Sequence, residues 1–96
     1  MKTFDYASAC QEASKEQGID KIVEALADLG IKATSEQTGG FTMCAHVQLT
    51  ESRYIYANPM GASIYSDEEY LGELCEYDEK QPATQIAQDI NNYINN

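Results

Sequence analysis

Cys44 and His46 lie two residues apart in FTMCAHVQL, and they are the nearest thiol–imidazole pair in the chain. An imidazole beside a thiol could take its proton and leave a nucleophilic thiolate. The spacing works against this. Residues two apart on a strand share a face, but their Cα atoms stand about 6.6 Å apart. No third orienting residue and no oxyanion loop accompany the pair. The expected reading is a half-buried thiol beside an exposed histidine, in a protein that is not an enzyme. Cys10, Cys44, His46 and Cys75 are also ligand types that suit zinc. They lack the closely spaced pairs from which zinc sites are built, so no metal and no other cofactor is expected.

Carboxylates are the other reactive group in quantity. Asp67 to Glu79 reads DEEYLGELCEYDE, with seven acids in thirteen residues and no base. The run lacks the D-x-D-x-D-G pattern of a calcium loop. A glycosidase-like carboxylate pair must face across a cleft, and a surface run is a poor match for it. Thr38-Gly39-Gly40 is not followed by G-K-[ST], so it reads as a hairpin turn and not a phosphate loop. Two readings of the acidic run remain. It is a solvated loop, or a surface built to meet a positively charged partner. Extended, it would set acids such as Glu73 and Glu76 in a row of negative charge. Duplex DNA presents such a row, one charge per roughly 1.7 Å of axis. An acidic protein can therefore occupy the cationic groove of a nucleic-acid-binding protein.

Tyrosine adds a second signal. Tyr54 and Tyr56 alternate on RYIYAN, with Tyr65, Tyr70 and Tyr77 close by in sequence. A large apolar ring with a polar tip suits an interface. The same rings could equally close the outer face of a sheet.

The 96 residues carry 16 acids against 6 bases, a formal charge of −10. Such a field repels phosphates, so direct nucleic-acid binding is not expected. It speeds encounter with a basic protein surface. Three widely spaced cysteines without a C-x-x-C pair suggest reduced thiols in a cytoplasm. The opening MKTFDYASACQEAS lacks an apolar signal core. No apolar run approaches the roughly 20 residues of a membrane span.

The elements that must position these residues can be read from periodicity. The Ala-rich stretch through Tyr6, Ala9, Cys10 and Ala13 reads as a helix that Gly18 ends. A second helix follows, capped by Asp20 with Ile19 as staple, burying Ile22, Val23, Leu26 and Leu29 and stopping at Gly30. The period then changes to two. Residues 31–36 read as a strand, and residues 41–49 as the clearest strand in the chain. In the latter Phe41, Met43, Ala45, Val47 and Leu49 face one side; Thr42, Cys44, His46 and Gln48 face the other. In RYIYAN, Ile55 and Ala57 oppose Tyr54 and Tyr56. Residues 58–61 are a turn and 62–66 a strand. Residues 67–70 are a polar connection, and 72–77 a last strand. Pro82 opens a final helix lined by Ile86, Ile90, Tyr93 and Ile94. The expected fold is one α+β domain over 1–96: N-terminal helices, an antiparallel meander of 4–5 strands, and a C-terminal helix packed on one sheet face.

The segment EQTGGFTMCAHVQL followed by RYIYAN resembles short, acidic, cysteine-reduced proteins carried by bacterial phages and mobile elements. Some of those are anti-CRISPR or anti-restriction inhibitors, several of them DNA mimics. The resemblance implies an inhibitor and assigns no residue a role. The expected function is binding of a basic protein surface, such as a CRISPR effector or nuclease. Asp67, Glu68, Glu69, Glu73, Glu76, Asp78 and Glu79 would supply charge, and Tyr54 and Tyr56 the aromatic anchors. An assembly module pairing through the tyrosine face is the alternative, and a small thiol or metal enzyme the third.

Overall fold

In the computed structural model, residues 6–39 and 42–96 are described. Gly40 of the expected turn and Phe41 of the expected strand lie outside them, as do the side chains of Tyr6 and Cys10. Two helices, α1 (Tyr6–Glu16) and α2 (Ile19–Asp28), precede five strands. The strands are β1 (Thr34–Gly39), β2 (Thr42–Gln48), β3 (Arg53–Asn58), β4 (Gly61–Ser66) and β5 (Glu69–Glu76), and α3 (Ala83–Ile94) closes the chain. The strands pair in sequence order, each antiparallel to the next. The fold is the expected α+β meander, with its helices gathered on one face of the sheet. No helix among the described residues is long and apolar enough to cross a membrane.

Strand alternation and helical periodicity meet in one core. Met43, Ala45, Val47, Ile55, Ala57 and Ala62 point from the sheet toward Ala13 of α1, Ile19, Ile22 and Leu26 of α2, and Ile86, Ala87 and Ile90 of α3. Small alanines on three adjacent strands let the helix layer seat closely, while the isoleucines fill the space between. Leu29, Tyr93 and Ile94 were expected on buried helix faces and are instead exposed. Leu29 is the C-cap of α2, and Tyr93 and Ile94 occupy the last turn of α3.

Asp20 does not cap α2. Gly18 takes that place with φ of 77°, in the left-handed region that suits glycine, and makes no side-chain cap bond. Asp20 sits one turn-position further in and accepts from buried Ser14 at 2.6 Å. The Ser14 hydroxyl has one proton and gives it to Asp20, so its 2.6 Å contact with Ser35 is one in which Ser35 donates. That chain ties α1, α2 and β1 together.

Three connections fix the strand register. Thr50 Oγ1 accepts from the Ser52 and Arg53 amides before β3. Asn58 Oδ1 accepts from the Met60 amide at 2.7 Å in the two-residue turn between β3 and β4. Asp67 and Glu68, at φ of 48° and 72°, make a two-residue hairpin between β4 and β5. The polar connection expected over 67–70 is therefore only two residues long, because this turn matches the twist of the strands and lets Glu69 and Tyr70 pair. The first strand begins at Thr34, not Ile31, since the pairing with β2 ends at the Thr34–His46 rung.

Candidate functional site

Helices cover one face of the sheet, and the other face carries the aromatic residues. Tyr54 and Tyr56 reach it by alternation with buried Ile55 and Ala57. The Asn58–Gly61 turn sets Tyr65 directly across from Tyr54, and the Asp67–Glu68 turn sets Tyr70 across from Tyr65. His46 lies across from Tyr56. The five rings form a connected surface. Tyr54 and Tyr65 stack with planes 7° apart and centroids 5.5 Å apart. Tyr56 meets Tyr54 edge-on at 5.1 Å and Tyr65 at 5.4 Å. His46 lies 5.2 Å from Tyr54 and 5.4 Å from Tyr56, and Tyr70 lies 5.7 Å from Tyr65. Offset and edge-to-face contacts of this kind add stability beyond the area they bury.

The route by which acids join this face is specific to β5. Tyr70, Glu73 and Glu76 are spaced by three, and a regular strand would point Glu73 away from the other two. The register skips Leu71 between Tyr70 and Gly72, and Leu74 between Glu73 and Cys75. These two bulges restore the parity. Tyr70, Glu73 and Glu76 thus stand opposite Tyr65, Ser63 and Gly61, all on the open face. Ser63 Oγ donates to the Glu73 carboxylate at 3.1 Å and the Tyr70 hydroxyl donates to it at 2.8 Å. The bond to Glu73 holds the Tyr70 phenol above its ordinary value. Gly61 permits the close approach of β5. A Cβ there would stand 2.3 Å from the Cys75 carbonyl oxygen, at a φ of 151° that few side chains tolerate.

On the opposite margin, Glu36 lies 2.7 Å from His46 Nδ1 and accepts from the Tyr56 hydroxyl at 3.4 Å. Burial and the Glu36 charge raise the Tyr56 phenol. His46 Nε2 faces Gln48 Oε1 at 2.8 Å, and Gln48 is held by donating to the Thr50 and Arg53 carbonyls. Between the two margins lies a cleft of about 400 Å³, walled by Tyr56, Tyr65, Ser63, Glu73 and Glu76, with Cys44 and Thr38 on the β1–β2 side.

Of the nine residues expected to bind a partner, the structure brings four together here: Tyr54, Tyr56, Glu73 and Glu76. Asp67 and Glu68 form the tip of the β4–β5 hairpin, and Glu69 pairs with Ser66 on the opposite parity. Asp78 and Glu79 lie exposed in the connection to α3. The acids are thus no single row. Tyr65, Tyr70 and Glu36 were not singled out as site residues. The two-residue turns carried the signal for the first two, since each turn fixes which tyrosines face each other. Nothing local in the sequence marks Glu36, which enters through the pairing of β1 with β2.

The thiol chemistry finds no support in the geometry. Both His46 nitrogens are engaged by Glu36 and Gln48, and the Cys44 sulfur contacts the Thr38 hydroxyl at 3.8 Å. Cys44 is buried, not half-buried, and His46, flanked by the Tyr54 and Tyr56 rings, is only 18% exposed. Burial pushes the Cys44 thiol up, away from a reactive thiolate. Cys75 pairs with Ala62 on the helix-covered parity, so Cys44, His46 and Cys75 do not converge. Among the described residues no three His, Cys, Asp or Glu side chains are grouped to hold a metal. No family model, curated protein or solved structure matches this chain.

Proposed function

We propose that this chain is a binding module, not an enzyme, that uses the open face of its sheet to cover a basic surface on another protein. The partner of matching chemistry is the cationic groove of a nucleic-acid-handling protein, such as a bacterial defence nuclease or CRISPR effector, which the chain would inhibit by occupying that groove. The observation that carries this reading is the open face itself. Five aromatic rings form one surface, flanked by Glu36, Glu73 and Glu76. Among the described residues the one ion pair is His46–Glu36, so the carboxylates of Glu73 and Glu76 have no cation of their own. Aromatic anchors beside unpaired charge favour a cationic partner.

The charge also argues against self-assembly through this face. Two copies would bring −10 each and oppose acid to acid. A monomer by light scattering is expected at physiological salt, where screening reaches roughly 8 Å.

The test is capture from bacterial lysate at low salt with the wild-type chain and with Tyr56→Ala, followed by a competition assay on the captured protein. The expected partner elutes as salt is raised, escapes the Tyr56→Ala bait, and loses bound DNA or RNA when the wild-type chain is added. A buried aromatic anchor is worth about 2 kcal/mol or more, roughly a thirty-fold loss of affinity on truncation. Capture that ignores salt and Tyr56, or a partner that keeps its nucleic acid, overturns the reading.

A further inference from the structure

We infer that the cleft between Tyr56, Tyr65, Glu73 and Glu76 is a receptor for one arginine side chain of the partner, an inference that rests on the basic-partner reading above. Its volume of about 400 Å³ leaves room for a guanidinium side chain. Two walls are aromatic, from Tyr56 and Tyr65, whose ring centroids stand 5.4 Å apart with planes at 61°. A planar cation can stack on the face of one of these rings. The third wall is anionic. Glu73 has its carboxylate held by Ser63 and Tyr70, so its position is fixed before any ligand arrives.

Glu76 differs from Glu73 in a useful way. Among the described residues its carboxylate makes no hydrogen bond and no ion pair, and it lies opposite Gly61, which has no side chain to crowd it. Both its oxygens remain available to a bidentate donor. The Tyr65 hydroxyl is likewise without a hydrogen bond among the described residues. A guanidinium satisfies all of these together: a flat face for the ring, a fork of N–H donors for Glu76, and charge for Glu73. A lysine ammonium supplies the charge but neither the plane nor the fork. The fixed Glu73 and the free Glu76 thus form an orienting group and a receiving group.

The experiment uses the whole chain, ¹⁵N-labelled, titrated with capped Gly-Arg-Gly, capped Gly-Lys-Gly and a capped hexa-arginine peptide. Gly-Arg-Gly should shift the amides of Gly61, Ser63, Glu73 and Glu76 first, at lower concentration than Gly-Lys-Gly. Glu76→Gln should raise the dissociation constant about ten-fold or more, since a hydrogen bond to a charged group is lost. Glu73→Gln keeps an acceptor for Ser63 and Tyr70, so its spectrum should stay dispersed while its arginine binding weakens. Equal response to the arginine and lysine tripeptides overturns the arginine assignment. Hexa-arginine binding whose shifts centre on 67–69 or 78–79, and which survives Glu76→Gln, overturns the cleft while leaving a basic partner in place. No response to any of the three peptides overturns both.

Discussion

On the helix side of β2, β3 and β4 stand Met43, Ala45, Val47, Ile55, Ala57 and Ala62; on the other side of the same strands stand Cys44, His46, Tyr54, Tyr56, Ser63 and Tyr65. The covered side uses small and branched apolar groups because a second layer must approach it. The open side has no second layer among the described residues, and its large rings cover the strands by leaning on one another. A residue's parity along the strand therefore decides which task it serves. One set of backbone hydrogen bonds supports both tasks. The comparison teaches that stability and recognition in this chain should be separable by mutation, one position apart.

The sharpest test of that separation is Ile55→Ala beside Tyr56→Ala. Ile55 is fully buried between the sheet and helices, and its truncation should cost about 2–5 kcal/mol, a large part of a small domain's stability. Urea unfolding followed by far-UV circular dichroism would show the midpoint fall, while arginine-peptide binding measured well below the midpoint stays near wild type. Tyr56→Ala should abolish binding while lowering the midpoint less than Ile55→Ala does. If Ile55→Ala weakened binding as much as Tyr56→Ala does, the two faces would not be independent.

A smaller effect is expected within the open face. Tyr65 touches Tyr54, Tyr56 and Tyr70, so it joins the rings of β3 to the ring of β5. Tyr65→Ala should cost about 1–2 kcal/mol of stability, less than Ile55→Ala, because cross-strand and aromatic pairs are individually modest. A double-mutant cycle of Tyr54→Ala and Tyr65→Ala should return a coupling of about 0.5–1.5 kcal/mol for the stacked pair. A coupling near zero would mean that each ring stands alone and that the surface is not a connected unit.

Much of this architecture can be read in the residues, for identifiable reasons. Strict alternation in β2 and β3 marked both faces, since a buried face tolerates no slip of register. Asn58-Pro59-Met60-Gly61 and Gly18 were legible because turn chemistry is local. What escaped was non-local. The strand β5 starts at Glu69 because Asp67 and Glu68 adopt positive φ, which acidic residues do not advertise. Glu73 and Glu76 share a face only through bulges at Leu71 and Leu74, and those depend on how β4 lies beside them. The charged run read as one acidic feature is in the structure three: a hairpin tip, a pair in the cleft, and an exposed connection. Asp20 read as a cap because Asp before an apolar periodic stretch often is one, but buried Ser14 needed an acceptor and took it.

The least of the expected effects concerns the two described cysteines, Cys44 on the open side and Cys75 on the covered side. Burial pushes the Cys75 thiol up to about 11 from an ordinary 9.0, and the charge of Asp89 on α3 adds to the shift. Asp89 also accepts from the Tyr77 hydroxyl, which anchors it there. Because the folded value is raised, the unfolded chain releases the proton first. The stabilising contribution is complete below pH 9 and is lost as pH rises toward 11, where the unfolded state binds fewer protons. Cys75→Ser should therefore flatten part of the decline in urea midpoint across that window. Asp89→Asn should lower the Cys75 value, and each unit of lowering raises the thiolate fraction about ten-fold at a pH below both values. Cys44 is raised by burial and opposed by its bond to Thr38, with no part played by Asp89. Alkylation by iodoacetamide at pH 9–10, read at each cysteine by peptide mass spectrometry, should thus accelerate at Cys75 and not at Cys44 in Asp89→Asn. Equal acceleration at both would show that loosening α3 is felt through the sheet, and that the open face depends on its covered side more than parity implies.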